Sequence, residues 1–208
     1  DGEEMRIATV RDYYRLITGI DEVVGRIREK LREKGFAENT VIVYTSDNGF
    51  YLGDHGLAGK WFAHDVSIRL PLIVYDPRVP GLRGGRKSDA FALTIDIAPT
   101  LLELAGVKVP ASMQGRSLMS LVRGETPEWR EEFLYEHRFP HGSIPQTEAV
   151  RNREWKYVRY VSENPVAEEL FHLTEDPLEE RNLAGEARYA EQLASLRARC
   201  DELVKEAV

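Results

Sequence analysis

The run Val41-Ile42-Val43-Tyr44-Thr45-Ser46 leads straight into Asp47-Asn48-Gly49, and no other junction constrains the fold of this chain as much. The run is mostly β-branched and aromatic, so it reads as a strand. Its lack of polar alternation predicts burial on both faces of a parallel or mixed sheet. Oxygen-bearing side chains then stand at the end of that strand. Gly53-Asp54-His55-Gly56 and Gly59-Lys60 follow. Hard oxygen donors, a glycine-rich loop and a compact ammonium suit a cation and an oxyanion held side by side, as in a site for a sulfate or phosphate ester.

The flanking segments place this junction in an α/β chain. Ile7, Val10, Tyr14, Ile17, Ile20, Val24, Ile27 and Leu31 recur every three or four positions, which predicts a helix over residues 5–34 with one apolar stripe and Gly35 as its stop. Residues 49–69 read as irregular. A second strand is expected over 70–75, with Pro71 at its start, where a missing N–H is tolerated. A proline- and glycine-rich connection over 76–87 precedes a helix at 94–105, capped by Thr94 or Asp96, with Pro99 in its first turn and Gly106 beyond its end. A further helical turn is expected over 117–122. Short strands at 132–136, 147–151, 155–160 and 169–173, then a helix at 186–206, predict a small antiparallel sheet packed with a helix. The fold class expected is therefore α/β: part of a large mixed sheet flanked by helices, plus this C-terminal annex. The boundary is expected near residue 125, giving domains over 1–125 and 126–208.

At 208 residues the chain suits one ordinary domain with an annex. Its net charge of −7 argues against attraction to nucleic acid. No apolar run reaches the roughly 18 residues of a membrane span. The single cysteine, Cys200, excludes an internal disulfide. The start at Asp1, without methionine, reads as that of a fragment.

Tyr44-Thr45-Ser46-Asp47-Asn48-Gly49, Gly53-x-His55-Gly56-x-x-Gly59-Lys60 and Arg69-x-Pro71-Leu72-Ile73-Val74 together resemble the C-terminal part of the sulfatases, of the alkaline-phosphatase superfamily. Asp96-Ile97-Ala98-Pro99-Thr100-Leu101-Leu102, Gln114-Gly115-Arg116-Ser117-Leu118, Trp155-Lys156-Tyr157 and Glu169-Leu170-Phe171 with Asp176-Pro177 and Asn182-Leu183 continue the likeness in the family's order. The family's nucleophile motif, Cys-x-Pro/Ala-Ser-Arg, is missing; Cys200 lies instead in Cys200-Asp201-Glu202. The resemblance implies a calcium-dependent hydrolase of sulfate esters in which calcium and a lysine hold the sulfate, a formylglycine hydrate attacks sulfur and a histidine protonates the leaving alcohol. It implies that this chain alone is inactive. The missing N-terminal sulfatase segment is then a partner, and exposed sheet edges favour a homo-oligomer. The rivals are a phosphodiesterase or phosphonate hydrolase of the same superfamily, and a non-catalytic binding or assembly module with a decayed site.

Each residue singled out has a functional and a plain reading. By resemblance Asp47 and Asn48 match calcium ligands, although two ligands bind calcium weakly or not at all, and Asn-Gly after a strand is also an ordinary turn signal. Lys60 matches the sulfate-binding lysine; a lone loop lysine is otherwise solvated. His55 supports the metal site or hydrogen-bonds within its own loop. His64 lines the substrate cleft. His137 and His141 bracket Pro140 on a surface loop or shape a pocket around a sugar or aryl group. Arg69, Arg116 and Asp96 fit structural roles, as do Trp155, Tyr157 and Tyr160. The acidic stretch 175–180 reads as a solvated turn.

Overall fold

The computed structural model describes residues 2–81 and 85–207, so the middle of the connection expected over 76–87 lies outside the described residues. Helix α1 spans Gly2–Glu33, with Glu3 and Glu4 in its first turn and Lys30 and Arg32 in its last, charges that complement the helix dipole at both ends. Gly35 adopts φ 73°, and Phe36 N–H donates to the Leu31 carbonyl at 2.9 Å, a left-handed closure that glycine permits. None of the described α1 residues is buried; Ile7, Ile20 and Ile27 stay about half exposed. Periodicity specifies an apolar face; most of this one stays exposed, with Val10, Val24 and Leu31 half-buried.

Strand β1 (Ile42–Thr45) pairs with β4 (Leu72–Tyr75), Ile42 opposite Tyr75 and Thr45 opposite Leu72. The pairing is antiparallel, and β1 is half-buried throughout rather than enclosed. This departs from the burial its apolar run predicts, because among the described residues β1 has a single neighbour. The segment expected to be irregular carries two short strands, β2 (Tyr51–Leu52) and β3 (Ala58–Gly59), and a one-turn helix, α2 (Asp65–Ile68).

Helix α3 (Ile97–Leu104) buries Pro99 and Thr100, and α4 (Met119–Arg123) follows. Asp96 does not cap α3 with its side chain. Its carboxylate accepts from Leu93 N–H at 2.8 Å and from Arg116 N–H at 2.8 Å, tying the chain before α3 to the loop after it. Gly115 makes that approach possible, since a Cβ there would lie 2.0 Å from the Ile95 carbonyl oxygen. Thr100 completes the joint: its hydroxyl donates to the Asp96 carbonyl and accepts from Leu118 N–H.

The C-terminal residues form a four-stranded antiparallel meander, β5 (Glu132–His137), β6 (Thr147–Asn152), β7 (Trp155–Tyr160) and β8 (Ala167–His172), followed by α5 (Ala190–Glu206). The register sets Val150 opposite Tyr157 and Tyr157 opposite Leu170. These three share one face, packed with Leu183, Leu196 and Cys200. Cys200 is fully buried, and burial pushes its thiol up to about 11, so it behaves as a core side chain. Neighbours along each strand point the other way. Ala149, Val158, Tyr160 and Phe171 accordingly pack on the opposite face with Ala63 and Phe62.

The chain divides into two compact units. One holds α1 through Asp47, Leu52–Ala58 and Leu70–Glu128. The other holds Asn48–Tyr51, Gly59–Arg69 and the chain from Trp129 onward. The second unit therefore combines the meander with the segment that carries Lys60. No described helix is long and apolar enough to cross a membrane.

Candidate functional site

Asn48 and Lys60 meet. Lys60 Nζ donates to Asn48 Oδ1 at 2.7 Å, and Asn48 Nδ2 donates to the Gly49 carbonyl at 2.7 Å, so the amide is held at both ends. Gly49 N–H in turn donates to the Ser67 carbonyl at 2.7 Å. The close approach needs glycine, since a Cβ at position 49 would sit 2.1 Å from the Val66 carbonyl oxygen. Lys60 is half-buried, and its ammonium also lies 5.3 Å from the centre of the Trp61 ring.

The other expected site residues lie as follows. Asp47 is exposed at the end of the first unit's β1 segment. His55, also in the first unit, is exposed in the turn Asp54–Gly56 with φ 54°, between two left-handed glycines. His64 is buried in the second unit: its Nδ1 pairs with the Tyr51 hydroxyl at 2.7 Å, and its ring lies against Phe171. Burial, reinforced by the Glu179 carboxylate, pushes the Tyr51 hydroxyl well above its ordinary range. His137 ends β5 with its ring 5.5 Å from that of Trp61. His141 is exposed in the loop that follows.

A buried ionic cluster anchors the Lys60 segment to the meander. Lys156 is fully buried; its Nζ donates to the Ala63 carbonyl at 2.8 Å and to Asp65 Oδ1 at 2.6 Å, and lies 2.5 Å from Glu179 Oε1. Arg151 grips both Asp65 oxygens, at 3.0 and 2.9 Å. Glu179 Oε2 accepts the Asp65 N–H at 2.5 Å, satisfying a donor at the start of α2 that has no intrahelical partner. The stretch 175–180 is thus not wholly solvated, as its charge suggested. Glu179 is 3% exposed and adopts φ 59° to turn inward, because a buried ammonium and a helix end both call for its carboxylate.

The two acids respond oppositely to this setting. Burial by itself would raise the Asp65 carboxyl, but the hydrogen bonds of Arg151 and the charge of Lys156 outweigh it and hold the group at about 2. Burial raises the Glu179 carboxyl, against the pull of Lys156. A lowered acid stabilises the fold above its unfolded pKa and loses that contribution as pH falls towards its folded value. A raised acid does the reverse, losing its contribution as pH rises. Between pH 4 and 2 it is therefore protonation of Asp65 that weakens this cluster. About 2 kcal/mol of stability should disappear over that window. Urea unfolding at several pH values should show it, and Asp65→Asn should flatten that part of the curve.

Sequence reasoning passed over Lys156, Asp65, Glu179 and Trp61. Lys156 carried one local signal: it shares a strand face with apolar Val158 and Tyr160, where a charge needs buried partners. Asp65 and Glu179 lie 114 positions apart and carried none.

The chain is similar to known proteins over most of its length. The family model described as N-sulphoglucosamine sulphohydrolase, C-terminal, matches residues 53–206. An N-acetylglucosamine-6-O-sulfatase of Bacteroides thetaiotaomicron is 35% identical over 203 residues, which cover 95% of this chain and 36% of that protein. A protein solved in complex with its substrate D-glucosamine-2-N,6-O-disulfate superposes with a TM-score of 0.82 at 34% identity, covering 91% of this chain and 39% of that one. A phosphonate monoester hydrolase of Agrobacterium radiobacter also superposes at 0.82, with 28% identity over 92% of this chain and 40% of its own. The chain spans little more than a third of the curated sulfatase it matches. The chain therefore belongs to the sulfatases of the alkaline-phosphatase superfamily and corresponds to the C-terminal part of one.

Proposed function

We propose that this chain supplies the oxyanion-binding lysine, and part of the cation-binding oxygen set, of a sulfuric ester hydrolase. The observation that carries the reading is the 2.7 Å bond from Lys60 Nζ to Asn48 Oδ1. It joins the ammonium and the amide oxygen that the sequence set twelve positions apart. A half-buried ammonium fixed by an amide and an indole is oriented before an anion arrives, so little side-chain freedom is lost on binding. Aimed at a non-bridging sulfate oxygen, it opposes the negative charge that grows there during S–O cleavage.

Calcium fits these donors in kind. Asp47 offers a carboxylate and Asn48 an amide oxygen, both hard oxygen donors of the kind calcium takes. Among the described residues no group of three or more His, Cys, Asp or Glu side chains forms a metal cage. The remaining ligands of a six- to eight-oxygen shell are therefore assigned to other polypeptide. Bound there, calcium would neutralise sulfate charge and polarise its oxygens. The nucleophile is likewise assigned outside these 208 residues, which hold no Cys- or Ser-x-Pro/Ala-Ser-Arg motif. In this reading the partner of the chain is the N-terminal sulfatase segment, and the exposed α1 stripe and the open edges of β1–β4 suit such a partner or a second copy.

Sulfate titrated calorimetrically into the chain, with and without calcium, tests this. Lys60→Ala should weaken binding by about tenfold or more, the value of a hydrogen bond to a charged group. Unchanged affinity would refute the reading. A second reading is favoured by the Agrobacterium neighbour: the ester is a phosphonate. Asn48, where a histidine would suit a transition metal, favours calcium and sulfate. Tighter binding of a phosphonate with manganese or zinc than of sulfate with calcium would reverse that preference.

A further inference from the structure

Trp61 follows Lys60 and is unusual in three respects. Its φ is 107°, a region that bulky L-residues avoid and glycine tolerates. The residue is nevertheless 39% exposed, so the indole is only partly covered. The strained conformation is held in place: Tyr135 on β5 donates its hydroxyl to the Trp61 carbonyl at 3.1 Å, and the His137 ring lies 5.5 Å from the indole, tilted by 58°. His137 Nε2 is buried with no hydrogen-bond partner among the described residues, so the imidazole meets the indole through its ring rather than through a polar bond. Two residues of the meander thus secure a solvent-facing indole beside the Lys60 ammonium.

Strain maintained at an indole that keeps part of its surface in solvent marks a position kept for what it presents. The indole presents a flat apolar surface with a negative π face. Sulfate has nothing to gain from such a surface. A ring on the alcohol side of a sulfate ester does: the axial C–H bonds of a pyranose or the face of an aryl group match it in size and polarity.

We propose that Trp61 is a specificity-determining residue, the platform on which the ring of the alcohol packs when Lys60 holds the sulfate. Tyr135 and His137 are positioning residues that fix the indole. The proposal rests on the assignment of Lys60 to sulfate.

The test follows the three indole N–H signals, of Trp61, Trp129 and Trp155, by nuclear magnetic resonance in the 15N-labelled chain. Inorganic sulfate, methyl sulfate and glucosamine 6-sulfate are the probes. Glucosamine 6-sulfate should bind about three- to tenfold more tightly than methyl sulfate, the range of one aromatic packing contact, and should shift the Trp61 signal most. Trp61→Gly suits the backbone at φ 107°, so the variant should fold, and it should bring the glucosamine 6-sulfate to methyl sulfate ratio to about one. Trp61→Phe should keep most of the preference. Because both esters use Lys60, the ratio cancels any change in the ammonium that follows loss of the indole. An unchanged ratio in Trp61→Gly, or a Trp61 signal indifferent to glucosamine 6-sulfate, would overturn the platform. A chain that binds glucosamine 6-sulfate through Trp61 but ignores inorganic sulfate would overturn the Lys60 assignment and leave the platform standing. A chain that binds none of the three probes overturns both.

Discussion

Lys156→Met should destabilise the second unit by about 3–5 kcal/mol, the usual cost of removing one partner from a buried ion pair. Methionine keeps most of the apolar stem, so the loss is chiefly that of the ammonium. Asp65 still has Arg151 on both oxygens. Glu179, with 2% of its side chain exposed, has no other described cation against it. It must then stay buried as an unpaired charge or take up a proton. The Ala63 carbonyl also loses its donor, three positions from Lys60. Denaturant unfolding monitored by the signals of Trp155 and Tyr157 should report the loss. Adding Glu179→Gln should restore part of it, because the double variant no longer buries a lone carboxylate. A single variant as stable as the parent would mean that the cluster contributes no net stability. The functional consequence is separate and also measurable. The segment 59–69 is joined to the meander by Lys156, Asp65 and Arg151, so freeing it should weaken sulfate binding even though Lys60 is intact.

Gly49→Ala should be about as damaging, at about 3 kcal/mol, the upper end of overpacking costs. A methyl group at this position points at the Val66 carbonyl oxygen from 2.1 Å, with the Arg69 carbonyl oxygen at 3.0 Å. Both obstacles are backbone and cannot rotate away. Either the turn at Gly49 or helix α2 must move, and the Gly49 N–H to Ser67 bond breaks with it. Asn48 is carried on the same turn, so its bond to Lys60 should be lost. The expected result is a destabilised chain that binds sulfate at least tenfold more weakly, the value of one charge-assisted hydrogen bond. Calorimetric titration beside a thermal melt separates the two effects. Retention of parent affinity would show that Lys60 does not need Asn48. This glycine is required by a neighbour's position and not by its own φ, which sequence inspection cannot distinguish from an ordinary Asn-Gly turn.

The elements of the meander were legible because each strand alternates between two apolar environments, and such alternation is local information. The long helix was legible for the same reason, whereas Asp96, expected as a cap of α3, ties Leu93 to Arg116 instead. The order of short motifs, from Asp47-Asn48-Gly49 to Asn182-Leu183, was enough to indicate the family. Burial was a different matter. β1 reads as enclosed but has one described neighbour, and the α1 stripe stands exposed, since hydrophobic patterning records a face and leaves its cover unnamed. The contacts of His64 with Tyr51 and Phe171 were not legible either, because they join distant segments.

By itself the sequence determined which stretches are helical or extended and that the chain is of sulfatase type. Only the tertiary structure decided that Lys156 faces inward to Asp65 and Glu179, that Glu179 turns in at φ 59°, and that Trp61 is held facing solvent. The reason is physical. Backbone preference and amphipathic period act over a few residues, whereas a buried charge is tolerable only where distant chain segments bring opposite charge and hydrogen-bond partners to the same point.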